Sequence, residues 1–141
     1  MIIGTTNFLA VAVVALVPVV IGFLWYSRIG FRHLWMRLEG VTPERDAKMK
    51  KIPIQNKLII AYLTYLLISY TLAILMNYLV VASVVPALIL GLVMWLGFMA
   101  PAAIFDYLWS PKAKPWGLYY LHISYFLISV LLMSVILALW I

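Results

Sequence analysis

The chain has 141 residues, of which 67% are hydrophobic and 10% charged, a composition outside the range of soluble globular domains and a length for one domain at most. Its net charge of +6 would suit nucleic acid in a soluble protein, but the cations fall in two short segments between long apolar runs, which excludes a nucleic-acid binder and instead sets membrane orientation. With no cysteine, disulfides, thiolate nucleophiles and cysteine metal sites are excluded.

A helix needs about 20 apolar residues to cross about 30 Å of hydrocarbon, and continuous runs do not fit the alternation of barrel strands. The first such run, residues 2–26, has no basic segment before it and no small-residue cleavage pattern after it, so it is predicted to remain as a spanning helix rather than leave as a signal peptide. Pro18 removes one internal hydrogen bond, frees the carbonyl of Val14 and predicts a kink. Trp25 and Tyr26 end the run at headgroup level, where amphipathic rings are favoured.

Residues 27–57 form a basic loop. At about 100° per residue Phe31, Leu34, Trp35 and Leu38 share one face while Arg28, Arg32, His33, Arg37 and Glu39 lie outside it, which predicts a short amphipathic helix along the membrane surface. Arg28, Arg32 and Arg37 are its candidate contacts to anionic lipid headgroups. Gly40 closes that helix, and Thr42-Pro43-Glu44 reads as an N-cap, a first-turn proline and an acid favourable to the dipole, opening a second short helix through about Lys51.

The remaining spans are predicted at 58–80, 86–108 and 117–141, giving an all-α membrane protein, a four-helix transmembrane bundle with one interfacial helix. All ten Lys and Arg residues lie in 27–57 or in 109–116, and the link 81–85 has none. The positive-inside rule therefore places both basic loops in the cytoplasm, against an anionic inner leaflet, with the N- and C-termini outside a cell membrane. Pro101, which frees the carbonyl of Gly97, predicts a second loosened turn. Pro18 and Pro101 each precede a serine by nine residues, Ser27 and Ser110, with an aromatic cluster between; this hints at parallel hairpin repeats, although the second and fourth spans show no comparable alignment.

Asp106 is the one acid outside the first basic loop, one turn from the inner end of its span. There a charge costs less than the roughly 2.5 to 3.5 kcal/mol of the bilayer centre. His122 enters the fourth span from the same side, so the two are expected within hydrogen-bonding reach across a short hairpin. They support either a proton relay, general acid and base, or polar ligand contact, or else a structural carboxylate paired with Lys112, Lys114 or a loop arginine beside a histidine bonded to a neighbouring helix. Tyr107, Tyr119, Trp25 and Tyr26 complete the candidate ligand-binding set. Tyr62, Tyr65, Tyr70 and Tyr78 on the second span and Tyr119, Tyr120 and Tyr125 on the fourth need hydroxyl partners inside the bundle where they lie deep; they read as belts and core, or as the lining of a cavity for an aromatic or amphipathic ligand. Asn7, Asn56 and Asn77 near helix ends read as caps or interhelical bonds. His33 and His122 are too few for a zinc site, and no phosphate loop or serine elbow occurs, so no catalytic residue, metal or cofactor is expected.

Asn7, Ala10, Gly22, Leu24-Trp25-Tyr26-Ser27, Trp35-Met36 and Gly40-Val41-Thr42 with Glu44 resemble the pattern of the domain of unknown function 1761 family. The later stretches "LGFMAPAAIFDYLW" and "KPWGLYYLHISYFLISVLLMSVILALW" are also similar to it, so the likeness covers most of the chain. One departure is Arg28, where the family usually has proline. The resemblance implies a small, largely prokaryotic four-helix membrane protein without an established activity. From the residues themselves, Gly97, Ala100, Ala102 and Ala103 permit close helix contact, and the expected function is a non-enzymatic bundle that self-associates into a homo-oligomer and holds a lipid or small hydrophobic molecule. The alternatives are a proton-coupled or small-molecule transporter using Asp106 and His122, and an enzyme acting on a membrane-embedded substrate.

Overall fold

A computed structural model describes residues 6–140; positions 2–5 of the expected first span and Ile141 of the expected fourth lie outside the described residues. Asn7 caps the first helix, its side-chain oxygen accepting the Ala10 N–H at 3.1 Å. The first span is then two helices, α1 (Phe8–Val14) and α2 (Val17–Trp25), broken one turn before and beside Pro18. Two short helices follow on the basic side, α3 (Arg32–Glu39) and α4 (Pro43–Lys50), the latter capped by Thr42, whose hydroxyl accepts the Arg45 N–H. The second span is α5 (Gln55–Tyr78). It starts ahead of the expected residue 58 because polar Gln55, Asn56 and Lys57 carry the helix on into the headgroup region.

The third span comprises α6 (Val84–Met94), one π-helical turn (Trp95–Met99) and α7 (Ala100–Leu108), and the fourth is the single helix α8 (Trp116–Trp140). Among the described residues the chain is all-helical, and four stretches are long and apolar enough to cross a membrane. The ends of α2 and α7, the starts of α5 and α8, and the pair α3–α4 share one side, which also holds every Lys and Arg; it is called the basic end below.

α8 is the axis of the bundle. In its most apolar stretch 44% of residues are buried, against 11–28% in the other three spans. A helix that is apolar all round needs neighbours all round. Leu72, Met76, Val130, Met133 and Leu137 form its core with α1 and α5. α6 approaches most closely at Gly91, where an added Cβ would stand 2.7 Å from Ser134 Oγ. Gly97, expected to allow such contact, instead faces open surface, since the π-helical turn rotates it away from α8; Ala100 is the small residue buried there.

The expected surface helix is α3. Its apolar residues Leu34, Trp35 and Leu38 are half-buried, and Leu38 sits against Gly117 at the start of α8, so α3 is folded under the bundle's basic end. It closes at Gly40 in the left-handed region, with the Val41 N–H reaching back to Met36 at 2.9 Å. α5 ends by the same pair of bonds, Val81 N–H to Met76 and Val80 N–H to Asn77, but there the left-handed position is held by Val80 at φ 55°. That conformation strains a β-branched side chain and ends the second span short of the expected residue 80.

Two stability predictions follow from these contacts, both read by thermal unfolding in detergent. Val80→Gly relieves about 1 to 2 kcal/mol of left-handed strain, loses part of that to chain entropy, and is expected to stabilise by roughly 1 kcal/mol; a lower melting temperature contradicts it. Gly91→Val is expected to cost about 1 to 3 kcal/mol through overpacking, and adding Ser134→Gly to restore most of it.

Candidate functional site

Hydrocarbon offers no hydrogen bonds, so a broken membrane helix must find donors for its carbonyls within the protein. At the break in the first span the Leu16 N–H turns to the Val13 carbonyl at 3.0 Å, leaving the Ala12 carbonyl without its usual donor. Tyr62 of α5 supplies one, its hydroxyl donating to Ala12 at 3.0 Å, and Ser69 donates to Val11 at 2.9 Å. Beyond the break the partner changes: the Pro18 carbonyl accepts the hydroxyl of Tyr125, from α8, at 2.6 Å. Tyr125 has a single proton, given to Pro18, so Tyr65 of α5 must be the donor in the 2.8 Å contact between the two hydroxyls. At the π-helical turn ahead of Pro101 the Ala100 N–H reaches back to Trp95, Tyr119 donates to the Ala100 carbonyl at 2.8 Å, and the Trp95 indole N–H donates to Ile123 at 2.7 Å.

Because α1 is tied to α5 and α2 to α8, α2 and α5 part towards the basic end. Between them is a cleft of about 370 Å³ lined by Pro18, Gly22, Tyr26, Arg32, Tyr65 and Tyr125. It adjoins a second cavity of about 380 Å³ formed by Tyr26, Arg32, Trp35 and His122. Arg32 reaches this position because the chain reverses tightly after α2. Gly30 packs where a Cβ would stand 2.3 Å from the Leu24 carbonyl oxygen, and the Phe31 N–H returns to the Trp25 carbonyl. The guanidinium is held by Asp46 of α4, a largely buried carboxylate that also lies 3.3 Å from the Lys50 ammonium. Arg32 has five N–H groups and the Tyr26 hydroxyl has no partner among the described residues, so the cleft offers hydrogen-bond donors and no unengaged carboxylate.

The structure brings only part of the expected ligand set together. Tyr26 packs edge-on to His122 at 5.9 Å and against Tyr125 at 5.8 Å, and the Tyr107 hydroxyl lies 2.9 Å from His122 Nδ1. Asp106 does not join them. Adjacent residues on α7 point about 100° apart, so with Tyr107 facing α8 the Asp106 side chain turns outward, 71% exposed, and takes the Lys114 ammonium at 2.6 Å. Tyr119 is occupied with the Ala100 carbonyl, while Trp25 packs on Phe31 at 4.6 Å and its buried indole N–H has no partner among the described residues. Arg28 and Arg37 are exposed as headgroup contacts would be, but Arg32 is drawn inward. Tyr65 and Tyr125 are among the tyrosines that the sequence offers for belts, core or a cavity lining without choosing between them, and Trp35 is expected only on the apolar face of the surface helix. The abundance of tyrosines was the visible signal; the helix to which each hydroxyl belongs was not.

Among the described residues no group of three or more His, Cys, Asp or Glu side chains could hold a metal ion. A family described as "Protein of unknown function (DUF1761)" matches residues 9–138. No curated protein and no solved structure matches the chain.

Tyr125→Phe removes the hydroxyl bond to the Pro18 carbonyl and leaves the Tyr65 hydroxyl unpartnered, and is expected to destabilise by about 1 to 3 kcal/mol, against about 1 kcal/mol for Tyr65→Phe, which removes only the outer donor. Thermal unfolding of the two variants in one detergent checks the order; equal losses would show that the Pro18 bond contributes nothing.

Proposed function

The chain belongs to this family of unknown function, and we propose on the geometry of the cleft that it is a binding protein for an amphipathic lipid, held at the cytoplasmic surface of the cell membrane. The observation that carries the reading is the convergence of Arg32, Tyr26, Tyr65 and Tyr125 on a cleft between two spanning helices at the basic end. A polar head there meets donors from Arg32 and Tyr26, while its apolar body lies against Val19, Phe23 and Leu58. Pockets of this kind, apolar with a few placed polar groups, are suited to small ligands. The ten cations on that end supply the orientation: by the positive-inside rule α3 and α4 lie in the cytoplasm, with the exposed Arg28 and Arg37 facing the anionic inner leaflet, and both termini lie outside. The role that fits such a cleft is retention or presentation of the lipid, with the chain associating with further copies of itself.

Native mass spectrometry of the protein extracted with its lipids tests this. The wild type is expected to carry a lipid adduct, and Ala61→Phe, which fills the cleft from α5, to reduce it by about tenfold while melting unchanged. An adduct equally abundant in both proteins would remove the reading. The same spectra report copy number, and a single chain throughout would end the proposal of self-association.

A further inference from the structure

The cleft does not end at the basic end. Val19 and Leu58, in its wall, also line a cavity of about 320 Å³ with Leu16, Tyr62 and Leu63. Leu63 in turn lines a third, of about 530 Å³, with Phe8, Ala12, Leu66 and Tyr70. The second and third are almost wholly apolar in lining, and all three lie along the seam between the first span and α5. From Tyr26 to Phe8 is 18 residues of nearly continuous helix, a seam of about 27 Å at 1.5 Å per residue. One leaflet of a bilayer is only about 15 Å of hydrocarbon. An acyl chain whose head sits at the basic end therefore fills the first half of the seam and stops near the midplane, where Leu16 and Leu63 are. The remainder, which holds the largest of these three cavities, lies in the opposite leaflet and is out of its reach.

The polar end is equally selective. It presents N–H and O–H donors, no carboxylate is among its lining residues, and Asp46, which holds Arg32 from behind, is engaged by Arg32 and Lys50. The loop 27–57 around it carries eight cations (Arg28, Arg32, Arg37, Arg45, Lys48, Lys50, Lys51, Lys57) and three acids (Glu39, Glu44, Asp46), a local excess of five positive charges. Arginine with a phenol beside it, in a positive field, recognises a phosphate oxygen.

Resting on the lipid-binding reading of the cleft, we infer that the occupant is a polyprenyl phosphate, with its phosphate at Arg32 and Tyr26 and its single isoprenoid chain laid along the seam past the bilayer midplane. Such a lipid has both required properties, an anionic head and a chain longer than one leaflet.

The test measures binding to the full-length protein in detergent for four probes: a long-chain polyprenyl phosphate, farnesyl phosphate, the long-chain polyprenol without phosphate, and phosphatidylglycerol. The long-chain phosphate is expected to bind at least about tenfold tighter than any of the other three, since each shortened chain or missing head gives up burial or charge-assisted bonds. Leu67→Trp, at an exposed position that lines the third cavity and not the first two, is expected to remove that advantage over farnesyl phosphate and leave farnesyl phosphate binding unchanged. Leu63→Trp, where the second and third cavities meet, serves as the second variant and is expected to weaken the long-chain phosphate likewise, and thermal unfolding verifies that both are folded. Equal affinity for long and short phosphates, or a long-chain phosphate unaffected by either tryptophan, overturns the inference. If Ala61→Phe abolishes binding while the tryptophans do not, the cleft stands as a lipid site and only the chain assignment falls. If phosphatidylglycerol binds as well as the long-chain phosphate, the occupant is an ordinary bilayer lipid and the inference fails.

Discussion

A backbone carbonyl in hydrocarbon has no water to turn to; here hydroxyls from neighbouring helices bond the backbone on either side of each break, and the arrangement of this bundle follows from which helix supplies them. Proline denies the first and third spans a regular ladder, and hydroxyls from neighbouring helices reach the carbonyls around each break: Tyr62 and Ser69 from α5, Tyr125 and Tyr119 from α8. The two donor helices are not interchangeable. Above its break the first span is bonded to α5; below it, to α8. A single helix that exchanges partners midway along its length must leave a gap beside the partner it abandons, and that gap is the cleft floored by Tyr125.

The same exchange accounts for the central position of α8. It donates to a broken turn in each of two spans, Pro18 on one and Ala100 on the other, and accepts the Trp95 indole on its own Ile123 carbonyl. A helix that serves two breaks must lie between them. Close approach of α6 at Gly91 then completes the enclosure, because Ser134 turns its hydroxyl back to the Val130 carbonyl and so presents a small, satisfied surface to the incoming glycine. Where hydroxyls face lipid the protein uses the same device: Thr64 and Thr71 each bond the carbonyl four residues earlier in α5.

Much of this was legible in the sequence and some of it was not, for a consistent reason. Spans, the amphipathic α3, the Thr42 cap and the Gly40 stop depend on hydropathy, period and local backbone chemistry, which are properties of neighbouring residues in the chain. The proline positions announced loosened turns, though the carbonyls of Val14 and Gly97 that proline frees are not those on which the hydroxyls settle. Which tyrosine reaches which carbonyl depends on helix rotation and on contacts 19 to 107 residues apart, as for Tyr119 and Ala100 or Tyr125 and Pro18, and no local pattern encodes them. Asp106 and His122 show the limit most simply. Both lie at the correct depth, but a one-residue difference in facing gives His122 to Tyr107 and Asp106 to Lys114.

Arg32 carries the point from architecture to chemistry. By sequence it is one of three similar arginines on an amphipathic helix, yet Arg28 and Arg37 remain exposed while Arg32 is withdrawn and bonded to Asp46. Exposed ion pairs contribute little, at most about 1 kcal/mol, but a hydrogen bond to a charged group shielded from water is worth roughly 1.5 to 3 kcal/mol. Asp46 is largely buried on an otherwise exposed helix, so α4 is anchored by this one side chain, and through it α3 is held in place against the start of α8. The two short helices are therefore more than a basic loop adhering to a leaflet. They deliver a guanidinium to the mouth of a cleft that the spanning helices alone would leave without a charge, and they leave most of its donors free.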